Sequence, residues 1–387
     1  MFHIADSDDI KAGRVTDVYF DRTVEILARR GCRTSALGEV ILKTFPHGWR
    51  WGLLAGLEEA AHLLAGLPVD VDALEEGSLF SPFEPVLTIE GPYVEYARYE
   101  TALLGLLCQA SGVATKAARC KKAAAGRPVM SFGARRMHPA IAPMVERNAY
   151  LGGCDGVAVV KSAELIKQDP VGTMPHALIL ILGDTVEAAR AFNDIIDRRV
   201  RRVVLIDTFT DEKFEALRVA QALGPDLFAV RLDTPGSRRG NMLQILQEVR
   251  WELDLRGFTQ VKLFLSGGLD EGDLVQLKGI VDSFGVGTCI ANAPVVDFAL
   301  DLVEIAGKPA GKRGKLSGRK GLYECPTCSA RQVVPAAAPA PLCAACGGRT
   351  MTSLLQPLIR GGRLVRELPP VADLRARVLE RLSRVEL

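Results

Sequence analysis

The feature of the sequence that most restricts the fold is a series of short apolar runs in the middle of the chain. These runs are rich in β-branched residues and recur at regular intervals: Val129–Phe132, Gly156–Val160, Ala177–Leu182, Val203–Ile206, Phe228–Leu232, Val261–Leu265 and Val281–Val286. Helical patterns such as Thr185–Asp197 and Asp211–Leu223 separate most of them. Near-continuous apolar strands that alternate with helices predict a parallel sheet covered by helices. Seven such units favour an α/β barrel over an open sheet.

Polar and glycine-rich segments follow five of these predicted strands. They are Gly133–His138, Asp207–Thr210, Asp233–Gly240, Gly267–Asp270 and Gly285–Thr288. In parallel α/β folds the active site is built at the carboxyl ends of the strands. We therefore expect these five segments to share one binding site.

The regions on either side of the predicted barrel differ from it in texture. Residues 1–115 mix helical stretches with short β-like runs bounded by Pro and Gly, and they predict a separate domain. We assign the barrel and its active site to residues 116–300. Residues 301–387 are predicted to hold a basic linker, a zinc knuckle at 325–346 and a C-terminal strand and helix that return to the N-terminal domain. The linker, Lys308–Lys320, has six cationic residues and no acidic one, which is typical of a solvated segment.

Four of the nine cysteines form a metal-binding pattern. They occur as two Cys-x-x-Cys pairs: Cys325 with Cys328, and Cys343 with Cys346. Two such pairs at this spacing supply the four thiolates that tetrahedral Zn²⁺ prefers, and a site with four protein ligands is structural because no position stays open for water. The other five cysteines are scattered and are interpreted as reduced thiols.

Composition excludes several classes of protein. Lys and Arg number 48 against 46 Asp and Glu, so a net charge of only +2 argues against a protein that binds nucleic acid over its whole surface. Aromatic residues make up 6%, too few for a surface that stacks single-stranded bases. No run of 18 apolar residues occurs, and Asp6, Asp8 and Asp9 interrupt the first residues, so we expect a cytoplasmic protein without a membrane partner.

The residues at the predicted strand ends favour a ligand that carries phosphate. Gly267, Gly268, Gly285 and Gly287 would let backbone N–H groups approach an anion, and Thr288 follows the last of them. Arginines in the same segments could neutralise phosphate charge: Arg135, Arg136, Arg231, Arg238 and Arg239. Asp207 and Asp233 could bind ribose hydroxyls or Mg²⁺, which prefers oxygen ligands.

The common nucleotide and hydrolase motifs are absent, and a different family is indicated. The sequence has no GxGxxG after a strand, no GxxxxGK[ST], no HExxH and no GxSxG. Six segments together resemble nicotinate phosphoribosyltransferases: VTDVY at 15–19, SFGARRMHP at 131–139, VGTMPHA at 171–177, LIDTF at 205–209, VRLD at 230–233 and FGVGT at 284–288. The similarity covers most of the chain and is closest to the short, archaeal-type branch, which carries a C-terminal zinc knuckle. It implies the type II phosphoribosyltransferase fold: an α/β sandwich-like N-terminal domain and an irregular, incomplete α/β barrel.

This resemblance implies a reaction that suits a phosphate-binding site. In the family, the nitrogen of nicotinate displaces pyrophosphate from C1 of phosphoribosyl pyrophosphate and forms nicotinate mononucleotide, the first step of NAD salvage. Phe132 is then expected to stack on the pyridine, with Tyr19 of a partner subunit on its other face. Arg231 would contact the base or its carboxylate.

The same resemblance assigns the remaining positions of the site. Arg135 or Arg136, in the motif that also contains His138, would bind phosphate or pyrophosphate. Asp233 and Asp207 would bind ribose or Mg²⁺, and Asp155 lies near the residues that discriminate the base in relatives. Two glycine turns would hold the 5′-phosphate: one contains Gly267 and Gly268, and the other contains Gly285, Gly287 and Thr288.

One histidine has a further role by resemblance. In relatives the histidine of a Gly-Thr-x-x-His motif is transiently phosphorylated by ATP, and Gly172–His176 keeps that spacing. His176 would then couple ATP hydrolysis to transfer, which makes the enzyme ligase-class. From its position alone, before the run at 177–182, His176 is also compatible with a buried histidine at the start of a strand. The family site is shared between two subunits, so a homodimer is the expected minimum, and a hexamer of dimers is compatible with it.

Other functions remain open at the sequence level. Quinolinate phosphoribosyltransferase shares the fold but decarboxylates a dicarboxylate base, and nicotinamide is another possible base. A different class of function is a zinc-ribbon module that binds nucleic acid through Lys308–Lys320 and the four cysteines.

Overall fold

The computed structural model describes residues 2–387 and divides them into two compact units. Unit 1 comprises the described residues up to Thr115 together with Pro294–Arg381. Unit 2 comprises Lys116–Ala293 and Leu382–Leu387. Among residues 2–387, no helix combines the length and the apolar character needed to cross a bilayer.

The first part of unit 1 alternates helices with short strands. Its helices are α1 Ser7–Lys11, α2 Val18–Arg29, α3 Leu57–Leu64, α4 Tyr93–Tyr96 and α5 Glu100–Ala123, and α5 continues into unit 2. Its strands are β1 Ser35–Leu42, β2 Gly52–Leu53, β3 Asp70–Ala73, β4 Leu79–Phe80 and β5 Pro85–Pro92.

Unit 2 has the alternating pattern that the sequence predicts. Its strands are β6 Val129–Ser131, β7 Gly156–Val157, β8 Arg202–Leu205, β9 Leu227–Leu232, β10 Lys262–Leu265 and β11 Ser283–Val286. Its helices are α6 Ala142–Leu151, α7 Val160–Ile166, α8 His176–Leu182, α9 Thr185–Ile195, α10 Glu212–Leu223, α11 Met242–Leu255, α12 Glu271–Leu277 and α13 Thr288–Ala291. The six strands form one parallel sheet in the order β7-β6-β11-β10-β9-β8. Because β7 and β8 do not pair, the sheet is an incomplete barrel, and the predicted α/β fold class is confirmed.

The last part of the chain completes unit 1. Its elements are β12 Phe298–Ile305, β13 Lys308–Pro309, β14 Lys320–Glu324, β15 Arg331–Pro335, β16 Thr352–Ser353, β17 Gln356–Arg360, β18 Arg363–Leu364 and α14 Val371–Leu382. Strands from both ends of the chain join in a seven-stranded antiparallel sheet in the order β13-β12-β1-β5-β3-β17-β18. Apolar residues of α3, including Leu57 and Leu64, pack with Val40 and Leu87 of this sheet in one buried cluster. β14, β15 and β16 form a separate small sheet.

One predicted strand of the barrel is wrong. The run Ala177–Leu182 is part of helix α8, which begins after Pro175 and ends at Gly183 in the left-handed conformation. Leu180, Ile181 and Leu182 are 58%, 81% and 41% exposed, whereas a strand in a covered parallel sheet would bury them. A short apolar run has no periodicity that separates a strand from a helix, and the barrel therefore has six strands and not seven.

The basic run Lys308–Lys320 is exposed over much of its length, but several of its cations form ion pairs. Lys312 and Lys315 pair with Asp301, whose side chain is 3% exposed. Lys320 pairs with Glu39 at 2.8 Å, and Arg319 pairs with Glu90. The pairs with Glu39 of β1 and Asp301 of β12 compensate buried carboxylates, which would be costly if left unpaired.

Candidate active site

The carboxyl ends of the barrel strands bring the predicted charged residues together. Arg231 is the penultimate residue of β9, and Asp233 follows that strand. Asp207 lies two residues after β8, which pairs with β9. The backbone N–H of Asp233 donates to Oδ2 of Asp207 at 3.2 Å, so the two carboxylates lie at adjacent strand ends.

Arg231 is fixed by contacts in three directions. Its Nε donates to Ser266 Oγ at 2.8 Å, its Nη1 donates to Thr173 Oγ1 at 2.7 Å, and its Nη2 lies 3.5 Å from Asp233 Oδ1. The side chain is only 12% exposed. Burial lowers the pKa of Arg231, and the negative charges of Asp233 and Asp207 oppose that effect. A guanidinium stays protonated at neutral pH in any case, so a preorganised cation lies at this edge.

A small cavity opens beside Arg231 and Phe132. We call it the base cavity: it has a volume of about 260 Å³, and Ala134, Arg135, Val171, Gly172 and Thr173 also line it. The guanidinium of Arg231 lies 5.1 Å from the centroid of the Phe132 ring. An aromatic ring and a buried cation at one cavity suit a small, planar, anionic ligand.

His176 and Asp207 form a hydrogen-bonded pair. His176 is the first residue of α8, and its Nε2 lies 3.1 Å from Asp207 Oδ1. The Asp207 side chain is 2% exposed, while that of His176 is 37% exposed. Burial raises the pKa of Asp207, and the contact with His176 opposes this effect. A carboxylate can only accept, so with Asp207 ionised the proton of this hydrogen bond resides on Nε2, and in the neutral imidazole Nδ1 then carries the lone pair.

Two glycine turns follow the neighbouring strands β10 and β11. Gly267 and Gly268 have φ of 93° and 66°, which other residues adopt only with strain. The carbonyl of Gly267 accepts a hydrogen bond from Arg239, which also donates to the Thr234 carbonyl at 3.1 Å. This turn is thereby held beside Asp233 at the carboxyl edge of the sheet.

The second turn is packed too closely to accept a side chain. A Cβ on Gly285 would lie 2.6 Å from the Phe132 ring, and one on Gly133 would overlap the Gly287 carbonyl. Thr288 begins α13 directly after Gly287. The glycines therefore let the Phe132 segment and the Gly285–Thr288 turn approach each other.

The remaining cationic residues of the 131–139 motif lie after β6. Arg135 and Arg136 are in a single 3₁₀ turn, Ala134–Arg136, and both are exposed. His138 is exposed as well, and its Nδ1 accepts from the Ala140 N–H at 3.1 Å. Arg135 lines the base cavity, which places at least one exposed cation beside Phe132.

Two predicted residues are not part of this cluster. Asp155 lies at the amino end of the sheet, where it accepts from Lys121 Nζ at 2.6 Å and from the Val129 N–H at 2.8 Å. Tyr19 belongs to α2 of unit 1 and is 55% exposed. Asp155 therefore holds the start of β6 and does not line the base cavity.

Three residues of the site were not assigned a role from the sequence. Thr173 and Ser266 orient Arg231, and Ser266 Oγ also donates to Asp233 Oδ1 at 2.7 Å. Glu146, fully buried on α6, lines the base cavity and accepts from the N–H groups of Ala158 and Val159 at 3.0 and 2.9 Å. The position of Ser266 directly before Gly267, at a predicted strand end, could have indicated a role in the site. Glu146 lies in an ordinary helical pattern, which contains no such indication.

The four cysteines of the zinc pattern converge. The sulfur atoms of Cys325, Cys328, Cys343 and Cys346 all lie within 4.8 Å of one another. Backbone N–H groups of Cys328 and Thr327 lower the pKa of the Cys325 thiol to about 6, which favours the thiolate that a metal requires. The group can bind a metal such as zinc, for which four thiolates are a common ligand set.

Comparison with known proteins identifies related sequences. Residues 17–111 and 113–301 match the family models for the N-terminal and C-terminal domains of quinolinate phosphoribosyl transferase. A nicotinate phosphoribosyltransferase of Mycobacterium tuberculosis is 32% identical over 332 residues, which cover 82% of this chain and 69% of that protein.

Solved structures with the same fold span a wide range of identity. The nicotinate-nucleotide pyrophosphorylase of Pyrococcus furiosus is 53% identical in sequence and superposes with a TM-score of 0.98. The match covers 100% of this chain and 99% of that one. Human nicotinic acid phosphoribosyltransferase shows the same fold, with a TM-score of 0.79 at 23% sequence identity. That match covers 96% of this chain and 94% of the human one. The incomplete barrel, the arginine-lined carboxyl edge and these similarities agree: the chain belongs to the nicotinate phosphoribosyltransferase family and is a phosphoribosyltransferase.

Proposed function

We propose that this enzyme transfers the phosphoribosyl group of phosphoribosyl pyrophosphate to nicotinate, giving nicotinate mononucleotide and pyrophosphate in NAD salvage. The observation that carries the proposal is the buried Arg231 beside Phe132 at the base cavity of about 260 Å³. A pyridine carboxylate matches both features, since its ring stacks on Phe132 and its charge faces the guanidinium. Nicotinamide lacks that charge.

The sugar and its phosphates would occupy the rest of the carboxyl edge. The turns at Gly267–Gly268 and Gly285–Thr288 present backbone N–H groups for the 5′-phosphate, and Arg135, Arg136 and His138 supply exposed donors for the pyrophosphate. Oδ2 of Asp233 receives no hydrogen bond from residues 2–387, so it can bind ribose or Mg²⁺. Both oxygens of Asp207 are already engaged. Magnesium, when bound, neutralises charge on the departing pyrophosphate.

Catalysis would come from positioning and electrostatics. The bond from ribose C1 to pyrophosphate breaks as the pyridine nitrogen approaches, which leaves positive charge on the ribose and negative charge on the pyrophosphate. The Asp233 carboxylate suits the first charge and the arginines of the 131–139 motif suit the second. Arg231 would hold the base in line with C1.

We further propose that ATP drives the reaction through His176. Nδ1 of His176 would attack the γ-phosphorus of ATP, with ADP as the leaving group, and water would later hydrolyse the phosphohistidine. The buried Asp207 holds Nε2 and stabilises the positive charge that develops on the ring. This coupling would make the enzyme ligase-class.

The metal and the assembly complete the proposal. Zn²⁺ bound by the four cysteines would stabilise the small sheet of β14, β15 and β16, because the first pair directly follows β14. The exposed Tyr19 would serve the site of a partner subunit, so we propose a homodimer at minimum, compatible with a hexamer.

Quinolinate is the alternative base, favoured by the family models that match both parts of the chain. Its second carboxylate would need a further cation, and Arg135 at the base cavity could supply one. Transfer to quinolinate releases CO₂ and needs no ATP.

Product analysis distinguishes these functions. Purified enzyme is incubated with phosphoribosyl pyrophosphate, Mg²⁺ and one of nicotinate, nicotinamide or quinolinate, each with and without ATP, and nucleotides are separated by chromatography. We expect nicotinate mononucleotide from nicotinate, with a higher yield when ATP is present. Nicotinate mononucleotide formed only from quinolinate would overturn the proposal.

A further inference from the structure

A second cavity of unit 2 lies at the end of the barrel opposite the base cavity. It has a volume of about 750 Å³ and is lined by residues at the amino ends of the strands, including Pro128 before β6, Arg201 before β8 and Lys262 at the start of β10. We call it the amino-end cavity. The two cavities share Val171, Gly172 and Thr173 as a common wall, so both are parts of the same barrel interior. The proposed transferase reaction does not use the amino-end cavity.

Aromatic and aliphatic side chains form the interior of this cavity. Phe264, Met130 and Val203 belong to one apolar cluster inside the sheet. Nearer the entrance, Phe228 is 37% exposed, and the Arg201 guanidinium lies 4.5 Å from its ring centroid. An exposed aromatic ring with an arginine stacked on it is a surface on which a planar heterocycle can stack.

The charges at the entrance are only partly compensated. Asp197 pairs with Arg199 at 3.0 Å, Asp282 with Lys262 at 3.7 Å, and Asp155 with Lys121 at 2.6 Å. Two arginines, Arg127 and Arg201, make no ion pair with any carboxylate in residues 2–387. Asp169 likewise has no ion pair in that range. The entrance therefore offers two cations for an anion and one carboxylate for a hydroxyl or amino donor.

We propose that the amino-end cavity binds a nucleotide, with its base against Phe228 and Arg201 and its phosphate beside Arg127. The volume is nearly three times that of the base cavity, so a lone pyridine would leave most of it to water. A nucleotide carries the planar ring, the anion and the hydroxyl donors that the lining matches. This ligand site lies outside the transferase site and goes beyond the proposed function.

Calorimetric titration of adenosine 5′-monophosphate into the full-length enzyme tests this site. Saturating phosphoribosyl pyrophosphate is included so that the binding site at the carboxyl edge is already occupied. This step rests on the proposed function. Product analysis tests that function separately, because it measures the reaction and not nucleotide binding. Adenosine and ribose 5-phosphate are titrated in parallel, since each has only half of the proposed recognition elements. We expect one adenosine 5′-monophosphate per chain, bound at least tenfold more tightly than either fragment.

Variants locate the bound nucleotide. Arg201→Glu reverses a cation at the entrance, and Val200→Trp fills the entrance from a side chain that is 38% exposed. Each should raise the Kd for adenosine 5′-monophosphate at least tenfold, with transferase activity in the absence of that nucleotide unchanged. Arg190→Glu, the same charge change at an exposed position outside the cavity lining, should leave the Kd unchanged. Equal Kd values in all four proteins, or no binding in the presence of phosphoribosyl pyrophosphate, would overturn the proposal.

Discussion

At the level of single residues, the site depends on polar side chains whose partners come from distant parts of the chain. Arg231 is held by Thr173 before α8, by Ser266 after β10 and by Asp233 after its own strand. Such contacts fix the direction of the guanidinium, which matters because an electrostatic contribution depends on preorganisation. They also mean that removing Arg231 leaves buried partners unsatisfied.

Arg231→Ala should therefore impair transition-state binding strongly. Loss of one charge-assisted contact costs about 3 kcal/mol, which corresponds to a fall in kcat/KM for nicotinate of about two orders of magnitude. Steady-state kinetics measure the effect, and thermal unfolding shows whether the variant is folded. Arg190→Ala, at an exposed position on α9, is the matched control. A folded Arg231→Ala enzyme with unchanged kcat/KM would remove Arg231 from the site.

His176→Ala should abolish the stimulation of transfer by ATP, because it removes the imidazole nitrogen that would be phosphorylated beside Asp207. Rates with and without ATP, and acid-labile ³²P incorporation from γ-labelled ATP, measure this directly. The zinc segment should stay folded, which metal content reports. His62→Ala, an exposed histidine of α3, should behave as wild type. If ATP-coupled turnover survives in His176→Ala, the phosphohistidine role is wrong.

Glu100 should give the enzyme a pH-dependent stability. Burial raises its pKa to about 7, whereas the unfolded chain has a value of about 4.3. Between these values the folded chain holds a proton that the unfolded chain has released, so the stability present at low pH is lost as the pH rises through about 7. Glu100→Gln should match wild type near pH 4 and exceed it at pH 8 by on the order of 2 kcal/mol, which is less than the full difference in pKa corresponds to because solvent screens this half-buried carboxylate. Denaturant unfolding at both pH values is the measurement; an equal difference at the two would contradict it.

At the level of elements, strand pairing decides which predicted segments meet. β11 pairs with β6 in parallel, and this register sets Gly285 beside Phe132. Sequence patterns predicted both segments but not their adjacency, since sheet order is a property of the folded chain. The same limit explains α8: its apolar run is compatible with either a strand or a helix, and the folded chain forms a helix in which Ile181 is 81% exposed.

Gly285→Ala should weaken binding of the base. The added methyl would lie 2.6 Å from the Phe132 ring, so the ring must move, and overpacking of this kind costs about 1–3 kcal/mol. We expect the KM for nicotinate to rise about tenfold or more, measured at saturating phosphoribosyl pyrophosphate. Gly279→Ala, where a methyl meets open space, is the matched control and should leave the KM unchanged. Equal KM values in both variants would contradict the role of this close approach.

At the level of the whole molecule, unit 1 is built from two distant parts of the chain, the described residues up to Thr115 and Pro294–Arg381, while the segment between them builds the barrel. β12 pairs with β1, and the cations that follow it compensate buried carboxylates of the same sheet. Composition alone described Lys308–Lys320 as a free basic segment because its partners, Glu39, Glu90 and Asp301, are spread along the chain. The small sheet with the four cysteines belongs to this unit as well.

Metal removal should destabilise the enzyme. We expect about one equivalent of zinc per chain by atomic emission, and loss of that metal in Cys343→Ser, whose thiol is buried within the cluster. The Tm should fall on the order of 5 °C, since metal binding contributes to folding free energy. Cys32→Ser removes a thiol outside the cluster and should retain the metal. A full equivalent of zinc in Cys343→Ser would contradict this assignment.

The sequence by itself determined the α/β class, the zinc pattern and the segments at the strand ends. These are properties of local order: apolar period, cysteine spacing and the residues that end a strand. Tertiary structure alone decided that the barrel has six strands, that Asp155 secures the start of β6 and not the base cavity, and that Thr173, Ser266 and Glu146 complete the site. The physical reason is that hydrogen bonding, burial and close packing join residues far apart in the chain, and no local pattern records which distant partner each residue finds.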